Sequence, residues 1–132
     1  MAGRTSEDQA DPPTVLVVED EVLIRMSTAD YLRGCGYHII EVGSGDEAVA
    51  VLKTDVCIDV VFTDVSMPGN LNGFGLAQWV RSERPGVRVI LTSGVTRTAK
   101  EAQDLCAHGP LVEKPYEHSE VDRRIQALLP RR

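Results

Sequence analysis

The chain has 132 residues, with 14 Lys and Arg against 20 Asp and Glu for a formal net charge of −6, and 42% of its residues are hydrophobic. That length accommodates one domain with a real core, and the composition is neither that of a disordered tail nor that of a disulfide framework. The acidic balance argues against a nucleic-acid backbone as the main partner, no apolar run reaches the roughly 18–20 residues that span a bilayer, and Met1–Pro13 lacks the apolar core of a secretory signal.

A cytoplasmic location is therefore expected. Cys35, Cys57 and Cys106 are odd in number and widely separated, and read as reduced thiols rather than as a metal site. Residues 1–13 mix Gly, Ser, charges and two prolines without apolar periodicity, which predicts a flexible tail ahead of a domain over 14–129, with 130–132 as the C-terminal end. Within the domain, Thr14–Val18 is a continuous apolar, β-branched run of the kind found in a parallel sheet covered on both faces. Val22, Met26, Ala29 and Leu32 follow at helical spacing, predicting a buried stripe that stops at Gly34-Cys35-Gly36. Tyr37–Val42 is a second expected strand. Ser44 and Glu47 have capping-box spacing ahead of a helix whose apolar face is Ala48, Val49 and Leu52.

Asp59–Thr63 is the third strand, ending at Asp64. After a Gly-, Pro- and Asn-rich loop, Leu76, Ala77 and Val80 mark a third helix, which Arg84-Pro85-Gly86 terminates. Val87–Leu91 is a fourth strand, a helix is expected over Thr98–Ala107, and Leu111-Val112 is a short fifth strand. The last helix carries Val121, Ile125, Leu128 and Leu129 before Pro130. Strands alternating with helices through short connections predict a doubly wound, right-handed, five-stranded parallel α/β sheet.

In such a sheet, ligands sit at the carboxyl ends of the strands. Glu19 and Asp20 leave the first strand, Asp64 the third, Thr92 and Ser93 the fourth, and Lys114 the fifth. Taken singly, each is accounted for as a helix cap or a solvated surface group. Capping, however, explains neither Asp64, which enters a loop, nor the coincidence of four strand ends. Three carboxylates brought together repel by about 4 kcal/mol per pair at an effective dielectric near 20, so a fold that gathers them needs a cation. Hard oxygen ligands that leave room for water and phosphate oxygens suit Mg²⁺. A carboxylate not spent on the metal can attack phosphorus, with Lys114 and the Thr92 hydroxyl at hand to stabilise the phosphoryl oxygens.

Val17-Val18-Glu19-Asp20-Glu21, Asp64-Val65-Ser66-Met67-Pro68 with Gly73 beyond, Leu91-Thr92-Ser93-Gly94 and Glu113-Lys114-Pro115 together resemble the motif set of response-regulator receiver domains of two-component signalling, in order and over Thr14–Leu129. The resemblance implies the (βα)5 flavodoxin-like receiver fold. It implies Asp64 as phosphoacceptor, Glu19 and Asp20 as metal-site acids, the Ser66 backbone carbonyl as a further Mg²⁺ ligand, and Thr92 and Lys114 as the residues that contact the phosphoryl group and move in the switch. The implied donor is a sensor histidine kinase or phosphotransfer protein. Output is expected by partner binding or phosphorelay through the face of the fourth helix, fifth strand and fifth helix, with a phosphorylation-dependent dimer as one form. Only three residues follow Leu129, so a stand-alone receiver is expected, with no enzymatic activity beyond transfer to its own Asp and slow self-dephosphorylation.

The chain departs from the family pattern at several points. The first acid is Glu19 rather than the commoner Asp, the loop after Asp64 is one residue longer than usual, and Asn72 stands where Asp is common. Ser93 follows Thr92 where a smaller residue is usual. The aromatic switch position of the last strand falls on Leu111, leaving Tyr116 as the nearest ring, read as packing at a helix start. Ser66 and Gly94 offer no carboxylate or amide to orient a hydrolytic water, which predicts self-dephosphorylation over hours. Three other readings compete. An aspartate-nucleophile phosphatase requires Asp-x-Asp, but position 66 is Ser. A degenerate interaction module is argued against by the intact Asp20, Asp64, Thr92 and Lys114. A nucleotide binder would need a phosphate loop, for which Gly43-Ser44-Gly45 is too short and the Gly94–Lys100 stretch lacks a second Gly. His38, His108 and His118 enter none of these schemes.

Overall fold

The structure, a computed structural model, describes residues 12–67, 69–93, 111–113 and 115–129, the side chains at 111 and 113 excepted. The helix expected over Thr98–Ala107, along with Gly94, Cys106 and Lys114, lies outside these residues. In chain order the elements are β1 (Thr14–Val18), α1 (Val22–Gly34), β2 (His38–Val42), α2 (Gly45–Leu52), β3 (Val60–Asp64), α3 (Gly73–Glu83), β4 (Arg88–Ser93), β5 (Leu111–Glu113) and α4 (His118–Leu128). The strands form one sheet in the order β2-β1-β3-β4-β5, with every pair parallel. This is the α/β architecture that the alternating pattern predicts.

Strand alternation divides the core. Val15, Val17, Val60, Phe62, Ile90 and Val112 point to one face and pack with Leu32 of α1 and with Val121 and Ile125 of α4. Leu16, Val18 and Val61 point to the other, against Ala48 and Leu52 of α2 and Leu76 and Val80 of α3. Because both faces are covered, the strands read as unbroken apolar runs. Each such buried Val or Leu side chain contributes about 1.5–3 kcal/mol relative to exposure. At the far end of the sheet, the Asp59 carboxylate accepts from Thr14 N at 2.8 Å and Asp59 N donates to Thr14 O at 2.9 Å, fixing where β1 and β3 begin.

Helix starts follow the polar residues. Ser44 Oγ accepts from Glu47 N at 3.1 Å as the capping-box spacing requires, but Glu47 reaches past Ser44 and accepts from Gly43 N at 2.6 Å. Asn72 caps α3, its Oδ1 accepting from Gly75 N at 2.9 Å, which is sufficient use for Asn where Asp is common.

One expected stripe is corrected. In α1, Ala29 and Leu32 are buried as predicted, but Val22 and Met26 are half exposed and Thr28 is buried instead. The inward slot one turn before Ala29 is taken by Arg25, whose Nη1 donates to the Glu19 carbonyl at 3.0 Å, so the apolar residues beside it are left toward solvent. Thr28 is used there as well: its hydroxyl and that of Tyr116 lie 3.0 Å apart. Tyr116 packs edge-on against Phe62, with ring centroids 5.6 Å apart, consistent with its reading as packing at a helix start.

Candidate functional site: an acidic pocket at the strand ends

Asp64, Thr92 and Ser93 sit on the sheet ladder rather than on loops. β3 includes Asp64, and β4 runs through Thr92 and Ser93, two residues beyond the expected stop at Leu91. The ladder continues because Asp64 pairs in register with Thr92 and Val65 N donates to Thr92 O at 2.9 Å. Beyond β1, Glu19 N still donates to Val42 O at 3.1 Å, and the Val18↔Thr63 pairing brings residues 19 and 64 to the same end of adjacent strands. Positions held this way are more sharply defined than positions on a free loop.

Glu19 and Asp64 are buried, 4% and 7% exposed, while Asp20 faces solvent. One carboxylate oxygen from each of the three lies within 4.8 Å of the others. At that spacing each pair of charges repels by about 3–4 kcal/mol at an effective dielectric near 20. Local backbone donors offset part of this: Glu21 N donates to Glu19 Oε2 at 3.1 Å and Ser66 N to Asp64 Oδ1 at 3.2 Å. The all-oxygen donor set is the kind that holds Mg²⁺ with water and phosphate oxygens completing the shell.

Beside the carboxylates, Thr92 is 1% exposed and its Oγ1 has no hydrogen-bond partner among the described residues. Leaving a buried hydroxyl unmatched costs about 1–3 kcal/mol. A hydroxyl donor next to a carboxylate cluster is what a bound oxyanion would use. Ser93 pairs in register with Glu113, so β5 reaches the same sheet end immediately before position 114.

Gly73 shapes the floor. A Cβ there would strike the Asp64 carbonyl oxygen and the Val65 Cα, and Gly73 N donates to Val65 O at 2.9 Å, so α3 starts hard against the backbone that carries Asp64. Away from the pocket, burial, followed by a 2.6 Å hydrogen bond to Asp122, holds the Tyr37 hydroxyl above its ordinary range. Burial, followed by the charge of Asp122, raises the Cys35 thiol, and among the described residues Cys35 and Cys57 are exposed and form no disulfide. No described helix is long and apolar enough to cross a membrane.

Comparison with known proteins accounts for this arrangement. The chain is 39% identical over 134 residues to the transcriptional regulatory protein PdtaR of Mycobacterium tuberculosis, covering 99% of this chain and 64% of that protein. It is 36% identical over 121 residues to the probable transcriptional regulatory protein TcrX of the same species, covering 91% of this chain and 51% of that one. The chain thus spans between half and two thirds of the length of these relatives. Among solved structures, the response regulator TrrA of Thermotoga maritima, in complex with Mg²⁺ and BeF, superposes with a TM-score of 0.76 at 27% identity, covering 89% of this chain and 99% of that one. The model of the response regulator receiver domain matches residues 15–126, and with the fold and acidic pocket described above, the chain belongs to the receiver-domain family of two-component response regulators.

Proposed function

We propose that this receiver is a Mg²⁺-dependent phosphoacceptor switch, with Asp64 as the group that takes the phosphoryl. The observation that supports it most is the meeting of three carboxylates within 4.8 Å beside a buried Thr92 hydroxyl that lacks a partner among the described residues. Glu19, Asp20, Asp64 and the Ser66 backbone carbonyl are the groups that would hold Mg²⁺, which supplies charge neutralisation for an incoming phosphoryl group. A likeness to TrrA in its complex with Mg²⁺ and BeF is in keeping with that donor set.

An Asp64 carboxylate oxygen attacks phosphorus, the bond from phosphorus to the donor's leaving atom breaks, and the leaving group departs with the electron pair. For a sensor histidine kinase or phosphotransfer protein, that atom is an imidazole nitrogen. The Thr92 hydroxyl donates to a phosphoryl oxygen, and Lys114 pairs with another. The hydroxyl moving toward the phosphoryl group biases the segment after β4 and the face built on β5 and α4, the surface through which a partner, a second copy or a phosphorelay acceptor is engaged. The domain acts in the cytoplasm. Its acidic balance favours protein partners over nucleic acid, and the relatives named as transcriptional regulators are longer than the matched region.

The test is mass measurement after incubation with acetyl phosphate and Mg²⁺. One added phosphoryl group is expected on the native chain and none on Asp64→Asn. No adduct at any Mg²⁺ concentration overturns the reading in favour of a phosphorylation-independent module, and steady phosphate release from many esters favours a phosphatase. The same adduct should decay over hours, because Ser66 offers no carboxylate or amide to orient water. A half-life under about a minute would require a well-placed water and would refute this part.

A further inference from the structure

Arg25 lies on the inward side of α1 with its side chain 21% exposed. Its Nη1 donates to the Glu19 carbonyl oxygen at 3.0 Å, and its Nε faces Glu41 Oε1 at 3.6 Å. Glu41 lies in β2, paired in register with Val17 of β1, and its other oxygen is held by Arg33 Nη1 at 2.9 Å. The turn after β2 closes over the same guanidinium: a Cβ at Gly43 would lie 3.2 Å from Nη1, tighter than ordinary contact, so the absence of a side chain leaves the room that Arg25 occupies.

The carbonyl that Arg25 holds belongs to the peptide unit joining Glu19 to Asp20, two of the three clustered acids. Fixing the plane of that peptide fixes the direction in which both side chains leave the backbone. Arg25 and Glu41 carry opposite charges, so the pair adds little net field at the cluster, and its effect is one of placement. The guanidinium donates to the carbonyl through Nη1 while its Nε, without a hydrogen-bond partner among the described residues, keeps an ion-pair contact with Glu41 at 3.6 Å; a lysine ammonium is a single point on a flexible stem and cannot divide itself in this way.

We propose that Arg25, braced by Glu41, is a positioning residue of the acidic site, holding the Glu19–Asp20 peptide so that both carboxylates meet Asp64. The role rests on the reading of the cluster as a Mg²⁺ site. It is tested by calorimetric titration of Mg²⁺ into the native chain, Arg25→Lys, Arg25→Gln and Glu41→Gln, alongside their metal-free melting temperatures. Both Arg25 variants should bind Mg²⁺ about tenfold more weakly than the native chain, a loss typical of residues that orient metal ligands. Glu41→Gln should shift affinity in the same direction by a smaller factor. Because Glu41→Gln leaves the guanidinium in place while removing its ionic partner, it carries the test if an Arg25 variant fails to fold. Native-like Mg²⁺ affinity in Arg25→Gln, or full rescue by Arg25→Lys, overturns the proposal, the second outcome assigning the effect to charge alone. A lower metal-free melting temperature with unchanged Mg²⁺ affinity also overturns it, leaving Arg25 a structural role only. If the native chain itself takes up no Mg²⁺, the phosphoacceptor reading fails first, a result distinguishable because it appears before any substitution is made.

Discussion

An alanine at Gly73 would set its Cβ against the Asp64 carbonyl and the Val65 Cα, backbone atoms that cannot swing away as a side-chain tip can. Gly73→Ala is therefore expected to destabilise the fold by about 1–3 kcal/mol, the range for overpacking a tight contact. It should also weaken Mg²⁺ binding, because the backbone forced to move is the one that carries Asp64. Urea denaturation with and without Mg²⁺ checks both, and unchanged values for both would refute the close approach. At this scale the sequence was legible where chemistry and topology agree: Glu19, Asp20 and Asp64 stand at strand ends and meet in one pocket. It was silent on Arg25 and Thr28. A polar residue on the inward side of a helix has the same spelling as one on its solvated side, and only the neighbours it finds, here the Glu19 carbonyl and the Tyr116 hydroxyl, separate the two.

Among the elements, the strands were the most readable, since runs such as Val15–Val18 have no solvent-facing position to interrupt them. Their ends were less so, because β3 and β4 extend into polar residues that a pattern of apolar letters excludes, and Asp64 and Thr92 of the proposed site are among them. α1 misled in the opposite direction. Its apolar residues Val22, Leu23 and Met26 are 51%, 81% and 49% exposed, and the helix begins two residues after Asp20. A protein donor that brings phosphorus to Asp64 must pass this rim and can bury those side chains as it does so. A small donor has no such contact. Replacing Leu23 and Val22 by Ser is expected to slow phosphoryl transfer from a phosphorylated histidine-containing protein by about tenfold or more, as loss of an apolar anchor does, while leaving the rate with acetyl phosphate unchanged. Parallel kinetics with the two donors decide it, and equal slowing with both would show that the rim shapes the pocket rather than the encounter.

For the whole molecule, sheet order is what converts scattered residues into a site. Placing β1 between β2 and β3 brings the acids of the first and third strands to one end of neighbouring strands, and placing β4 beyond β3 adds Thr92. Alternating strands and helices predicted a doubly wound parallel sheet with right-handed crossovers, whereas the order β2-β1-β3-β4-β5 is read from the structure. On the proposed reading, the mutual repulsion of the clustered carboxylates is relieved when a cation binds. Mg²⁺ at ten times its dissociation constant should stabilise the chain by about 1.4 kcal/mol, raising the melting temperature by about 4–6 °C for a domain of this size. The gain should shrink in high salt, which screens the same repulsion. Calorimetric melting across Mg²⁺ and salt concentrations checks it, and a shift independent of salt would remove the electrostatic explanation.

The central place of β1 also bears on how the chain is made. Val15–Val18, at most 1% exposed in the finished fold, is synthesised ahead of the other strands of this sheet, yet its partner β3 lies about 45 residues further along the chain. At about 5–20 residues per second, the nascent strand waits roughly 2–9 s with only β2 to pair with and one edge bare. A segment almost completely hidden in the folded protein is thus on display while its central partner is still being made, and the half-built sheet on the ribosome offers a chaperone an apolar edge to shield.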